Sequence, residues 1–244
     1  MLVSIILPCY NPPENWANNI IKELKALSEI ISDKIELILV EDGIDEKLKS
    51  GIEFLKSNIP HFRSIRYSTN RGKGFALRQG VALAEGEIII YTDIDFPYKA
   101  ESVFRIYSAL KNKECDVAVG IKNNTYYAHV PFARRVLSKG LQSLVRFFLS
   151  IPITDTQCGL KGFVKDVKPV FLQTSIDRYL FDLEFIRMAY KLKYKLEPLQ
   201  IELKETAQFR VMNYRILFPE VLNFIKLVFK NKYPNDILNS GPGK

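Results

Sequence analysis

Residues 88–91, Ile-Ile-Ile-Tyr, are four β-favouring residues with no polar break, the pattern of a strand buried on both faces. Comparable runs lie at 2–7, 35–40, 62–67 and 116–120. Pro8 is expected to stop the first of them. Between the runs, apolar residues recur at helical spacing: Ile20, Ile21, Leu24, Leu27 and Ile31 give a helix over about 14–30. Further helices are expected at 45–57, from Gly74 to about 84, and at 100–111. Strand and helix alternate five times, which predicts an α/β fold with a mostly parallel sheet flanked by helices.

The second half reads differently. Residues 125–130 are polar and aromatic, the pattern of a loop. Residues 131–150 form a basic amphipathic helix: Phe132, Val136, Leu141, Leu144, Val145 and Phe148 line much of one side, and Arg134, Arg135, Lys139 and Arg146 are interleaved. A strand is expected at 160–164, a helix at 181–192, a strand at 196–203 and a very apolar helix at 216–229. Nothing marks a linker, so 1–212 reads as one domain and 213–244 as an appendage.

The chain's 244 residues carry a net charge of +8, which suits an anionic partner: nucleic acid, a membrane surface or a phosphorylated ligand. The basic residues interleave with apolar helical positions and no nucleic-acid-binding motif is present, so nucleic acid is not expected. Cys9, Cys115 and Cys158 are scattered and odd in number, which argues against a disulfide framework and for a reducing compartment. Two histidines are too few for a His-based metal site. No signal peptide is legible and no run reaches the ~18 apolar residues of a membrane span. A soluble or membrane-surface protein is expected.

The candidate chemistry gathers at strand ends. Asp93 and Asp95, two apart after the 88–91 strand, point the same way. In open α/β sheets ligands bind at the carboxyl ends of strands. Paired carboxylates repel unless a cation or proton lies between them, so a hard divalent ion that also grips a diphosphate is one reading and solvated turn acids the other. Asp42 ends the second strand. It can accept from a base N–H or a ribose hydroxyl, or cap the following helix. Tyr10 can stack on a base or simply pack. Asn70-Arg-Gly-Lys-Gly74 puts glycines and the cations Arg71 and Lys73 at a helix start, with Arg78 one turn on, a natural phosphate site or a solvated turn. Asp155 and Gln157 lie in a polar loop that can instead be an Asx-turn. Asp182 and Glu184 begin a helix, where the simplest role is to complement its dipole.

Leu7-Pro-Cys-Tyr-Asn11, Val40-Glu-Asp-Gly43, Asn70-Arg-Gly-Lys-Gly74 with Ala76, Asp93-x-Asp95 and Asp155-Thr-Gln-Cys-Gly159 occur in this order. The series resembles the family 2 glycosyltransferases of GT-A fold. Arg134-Arg-Val-Leu-Ser138, Leu160-Lys-Gly-Phe163 and Phe181-Asp-Leu-Glu-Phe185 resemble the polyprenyl-phosphate sugar synthases, nearest the dolichyl-phosphate glucosyl- and mannosyltransferases. The resemblance covers about residues 2–212. It implies an inverting transfer of a hexose from a nucleotide-diphosphate sugar, UDP-glucose first, to polyprenyl phosphate, with a saccharide hydroxyl as the alternative acceptor. By it Asp42, Pro8, Tyr10 and Asn11 form the base pocket. Asp93 and Asp95 hold the diphosphate through Mg2+ or Mn2+, and Arg71, Lys73 and Arg210 assist. Asp155 and Gln157 join Asp95 at the reacting centre, and Arg134, Arg135 and Lys139 face the acceptor phosphate. Together with the cysteine usage and the amphipathic helices, this predicts a cytoplasmic enzyme, peripheral on the inner membrane face and able to form a homo-oligomer. Glu41, Ile44 and the Pro12-Pro13 pair depart from the family pattern.

Overall fold

The computed structural model describes residues 1–122, 140, 142–145, 147–149, 151–153, 155–156, 158–205 and 217–229. Among them one seven-stranded sheet forms the centre: β1 (Leu2–Cys9), β2 (Lys34–Asp42), β3 (Phe62–Tyr67), β4 (Ile88–Tyr91), β5 (Val117–Lys122), β6 (Lys161–Val164) and β7 (Leu196–Ile201). Their order is β3-β2-β1-β4-β6-β5-β7. β6 runs antiparallel to both neighbours and the other pairings are parallel, so the mostly parallel sheet read from the alternation is present. The helices are α1 (Trp16–Ile30), α2 (Lys49–Asn58), α3 (Lys73–Leu83), α4 (Ala100–Lys111), α5 (Lys168–Leu172), α6 (Phe181–Lys191) and α7 (Leu217–Phe229). α5, with its five residues, is too short for periodicity to reveal.

Side chains alternate across the sheet and build a core on each face. Val3, Ile5 and Leu7 of β1 join Leu24, Leu37, Leu39 and Ile106 on the side of α1, α2 and α4. Ile6 joins Val40, Leu77, Tyr91, Phe163, Phe171 and Phe185 on the side of α3, α5 and α6. Phe171 is the hub of the second core: its ring lies 5.3 Å from that of Phe163, 4.8 Å from Phe185 and 5.7 Å from Tyr91.

β1 does not stop at Pro8 but continues to Cys9, paired with β2 alone at that level. Thr92 N–H donates to the Ile6 carbonyl at 3.2 Å on the β4 side. Pro8, two residues on, faces the same side and has no N–H to continue the ladder. Pairing between β1 and β4 therefore ends at the switch point of the strand order, the place where open α/β sheets form their ligand crevice.

Phe171→Ala should cost about 3–5 kcal/mol, the range for truncating a buried aromatic. Urea denaturation measures it, and a loss below ~1 kcal/mol would show that the ring cluster does not hold α5 to the sheet.

Candidate active site

Asp42, the last residue of β2, is 3% exposed and its carboxylate is fully engaged. Oδ1 accepts from the Tyr67 hydroxyl at 2.8 Å and from Arg71 N–H at 2.7 Å; Oδ2 accepts from Asn70 Nδ2 at 3.0 Å and Gly72 N–H at 2.9 Å. Burial first, then the Asp42 carboxylate, raises the Tyr67 phenol and keeps it a donor. The loop at 70–72 is thus wrapped around an anion belonging to the chain itself. Gly72, at φ +106°, supplies the left-handed turn this requires.

The start of α3 is used in the same way. Gly74 and Phe75 N–H donate to the Asp177 carbonyl at 2.8 and 3.2 Å, and Ala76 N–H to Gly72 at 3.0 Å. A Cβ on Gly74 would lie 2.5 Å from the Ile176 carbonyl oxygen. The glycines therefore admit the 176–178 segment, and the expected backbone cradle for a phosphate is replaced by internal partners. Arg78, expected to offer charge to a ligand, donates to Asp177 and to the Ile176 carbonyl at 2.9 Å. Glu184, fully buried on α6, holds that segment from behind: it accepts from Ser175 N–H at 2.7 Å and Ile176 N–H at 2.9 Å.

Two cations of the loop remain toward the crevice. The Arg71 guanidinium stacks on Phe75, 3.6 Å from the ring centre. Lys73 reaches across to Asp93, with Nζ 2.5 Å from Oδ1. Burial works against the ammonium, but Asp93 and Asp182 outweigh it and raise its pKa above the ordinary lysine value. The turn that carries Asp93 and Asp95 closes with Phe96 N–H donating to the Asp93 carbonyl at 3.0 Å, and Phe96 is buried at φ +44°. A left-handed phenylalanine is uncommon and holds only where its surroundings fix it.

Antiparallel β6 brings its own beginning to the edge where β4 ends: Tyr91 pairs with Lys161. The loop leading into β6, with partly buried Asp155, therefore meets the Asp93 turn. Gly159 packs so tightly there that a Cβ would lie 2.2 Å from Asp93 Oδ2. Its N–H donates to the Tyr98 hydroxyl at 2.9 Å. Lys161 is wholly buried, with Nζ 3.0 Å from Asp182 Oδ1, and it also donates to the Cys158 carbonyl. Tyr91 donates to the same Asp182 oxygen at 2.5 Å, and burial, then Asp182, pushes its phenol well above the ordinary value. Asp182 and Glu184, read as dipole-complementing acids, instead hold Lys161 and the 175–176 backbone.

Pro8, Tyr10, Asn11, Asp42, Asp93 and Asp95 stand at or just after strand ends on one edge of the sheet, with Arg71 held to Asp42 and Lys73 to Asp93, and Asp155 is a partly buried residue before β6. Tyr10 is 56% exposed beside the crevice. Gln157, Arg134, Arg135, Lys139 and Arg210 lie outside the described residues, as does most of the 131–150 helix. Residues that sequence reasoning passed over are Lys161, Tyr91, Tyr98 and Asp177. Their signal was faint: Lys161 alone interrupts an apolar run, which marks a buried cation only once a partner is known.

Asp93 and Asp95 offer the oxygen donors that Mg2+ or Mn2+ prefers, and Lys73 shows that Asp93 accepts a cation. Among the described residues no group of three or more His, Cys, Asp or Glu converges, so such an ion would complete its shell with donor phosphate oxygens and water.

The strand order with its single antiparallel member defines the GT-A class of α/β fold. Glucosyl-3-phosphoglycerate synthase from Mycobacterium tuberculosis, solved with UDP, matches with a TM-score of 0.66 at 14% identity, covering 93% of this chain and 78% of that one. Mannosyl-3-phosphoglycerate synthase from Rubrobacter xylanophilus matches with a TM-score of 0.62 at 12% identity, covering 95% and 77%. The family profile for glycosyl transferase family 2 matches residues 4–168, and the chain belongs to that family. Dolichyl-phosphate beta-glucosyltransferase of Saccharomyces cerevisiae is 28% identical over 225 residues, 84% of this chain and 67% of that protein. The human dolichyl-phosphate beta-glucosyltransferase is 26% identical over 218 residues, 83% and 67%. Glycosyltransferase AglD of Haloferax volcanii is 25% identical over 203 residues, 82% and 32%. The chain thus spans about two thirds of the yeast and human proteins and about a third of the archaeal one.

Asp182→Asn and Lys161→Met should each cost about 3–5 kcal/mol, because either leaves its partner uncompensated in the interior. The double variant K161M/D182N should be more stable than the sum of the two losses predicts. Strict additivity in urea denaturation would show that the two charges are not coupled.

Proposed function

We propose that the chain transfers a hexose, with inversion, from a nucleotide-diphosphate sugar to a polyprenyl phosphate, with UDP-glucose the favoured donor. The observation that supports this is the meeting of Lys73 and Gly159 at Asp93, in the turn that also carries Asp95. The similarity to the yeast and human dolichyl-phosphate glucosyltransferases supports the acceptor and the sugar. Asp93 and Asp95 would hold Mg2+ or Mn2+, and such an ion would supply positive charge against the leaving diphosphate.

The nucleoside side lies over β1 and β2. Tyr10 offers a ring for the base. Asp42, its oxygens engaged, shapes the pocket through loop 70–72 and acts on the base from there. Lys73 and Arg71 supply positive charge to the diphosphate, with Arg210 as a third cation. An acceptor phosphate oxygen forms the new bond to C1 as the bond from C1 to the diphosphate oxygen breaks. That phosphate, with a second pKa near ~6, is already ionised at neutral pH and requires no base. Asp155 and Gln157 then orient the acceptor, and Arg134, Arg135 and Lys139 receive its charge.

A lipid acceptor calls for contact with a bilayer surface. No helix among the described residues is long and apolar enough to cross one. Exposed Leu144, Phe147 and Phe148 lie beside exposed Val221, Leu222, Ile225 and Phe229 of α7, joined where the Phe148 and Phe224 rings stand 6.3 Å apart. This apolar surface on a +8 chain suits an anionic membrane face, the inner leaflet of a cell. Flotation with anionic liposomes tests it: a protein that stays at the bottom at low salt, and elutes as a dimer, would assign the surface to a second copy instead.

The deciding experiment supplies Mg2+ or Mn2+, polyprenyl phosphate and each nucleotide sugar in turn and follows nucleoside diphosphate release. Release that requires both the lipid and UDP-glucose is expected. Release without lipid would move the acceptor to a saccharide hydroxyl. Asp155→Asn should cost less than ~10-fold in rate, because a general base is worth about 10²–10⁴-fold and none is called for here. A loss in that larger range would make Asp155 a base.

A further inference from the structure

We infer that Lys73 is a resident counter-cation of Asp93, which yields that carboxylate to a divalent ion and passes to the donor diphosphate in the same exchange. The inference rests on the reading above that Asp93 and Asp95 hold the donor's ion. It goes beyond that reading in making one lysine the link between ion affinity and nucleotide affinity.

The geometry leaves Lys73 little else to do. Its Nζ stands 2.5 Å from Asp93 Oδ1, in a pair whose side chains are 23% and 39% exposed. The other oxygen, Oδ2, faces Gly159, where even a methyl group would overlap it. Oδ1 is therefore the more open oxygen, and Lys73 occupies it. An ammonium and a divalent ion on one oxygen repel, so one must leave. The nearby acid Asp182 already receives Tyr91 and the buried Lys161 on Oδ1. The anion left to accept the displaced ammonium is the diphosphate that arrives with the ion.

The backbone of Lys73 does not move in this exchange. Its helix begins at Gly72, held by Asp42, and Gly74 is held by the Asp177 carbonyl. The four-carbon stem alone carries the ammonium from one anion to the other. Linkage gives the consequence. An ion arriving alone displaces Lys73 with nothing to receive it, whereas an ion arriving with a diphosphate does not, so each tightens the other's binding by the same factor.

The test titrates Mn2+ into the full chain, with and without UDP, and reads free Mn2+ by electron paramagnetic resonance. Lys73→Met and Lys73→Gln remove the counter-cation. Arg71→Met removes one charge from the same loop without touching Asp93, since its side chain lies on Phe75 and 3.8 Å from Asp177. Both Lys73 variants should bind Mn2+ alone about 10-fold tighter than the wild type, within the usual range of coupling between sites. UDP should then tighten Mn2+ less in them than in the wild type, and R71M should bind Mn2+ alone within about 2-fold of the wild type. Unchanged or weaker binding in the Lys73 variants overturns the inference, and so does an equal gain in R71M, which would mark a general field. In either case Mn2+ binding itself stands. A wild-type chain that binds no Mn2+ even with UDP overturns the reading of Asp93 and Asp95 together with the inference.

Discussion

Lys161 is costly to place. It is wholly buried, and an ammonium without water is tolerated only against a paired charge and further acceptors. Asp182 supplies the charge and the Cys158 carbonyl accepts as well, while the Tyr91 hydroxyl shares the Asp182 oxygen. These contacts tie β4, β6, the loop before β6 and α6 to one point directly behind the Asp93 turn. The pair offers little as net stability, since matched apolar residues often do as well. What it supplies is register: only one placement of β6 against β4 puts Lys161 level with Tyr91 and Gly159 against Asp93.

A second set of acceptors does for the 70–76 segment what Asp182 does for Lys161. Asp42 fills the loop at 70–72, the Asp177 carbonyl caps α3, and Glu184 holds the segment carrying Asp177. Each satisfies backbone N–H groups that would otherwise be unpaired in a buried turn. The loop that in sequence resembles a phosphate cradle is thus made rigid before any ligand arrives. What its backbone no longer offers is left to two side chains, Lys73 on Asp93 and Arg71 on Phe75. A preorganised cation aimed at developing charge is worth more than a mobile one, because it reorganises less during the reaction.

β1, β2 and β4 were legible as mainly apolar runs and β7 from its alternation. The parallel order followed from alternation with helices. The direction of β6 was not legible, since four residues, Lys161–Val164, read alike in either sense. That one reversal brings Gly159 against Asp93, a contact that periodicity alone does not reveal. Asp42, Asp93 and Asp95 were visible as acids at strand ends. The use of Gly72, Gly74 and Arg78 was hidden, because their partners stand at 176–178, about a hundred positions away in sequence. Asp182 does lie in the first turn of α6, but its pairing with Lys161 was hidden, because a helix-start acid looks the same whether it faces solvent or a buried lysine.

α7 extends this economy to the surface. Glu220 accepts from Leu180 N–H at 3.0 Å, at the start of α6, and burial raises its pKa above the ordinary carboxylate value. Leu227 is buried and Phe224 and Val228 pack on the same core, while Val221, Leu222, Ile225 and Phe229 face outward. The outward face is therefore anchored through Glu220 to the helix that carries Asp182 and Glu184. The inner face of α7 and the Lys161–Asp182 pair thus share one packed core, through Leu227 on one side and Phe181 and Leu183 on the other.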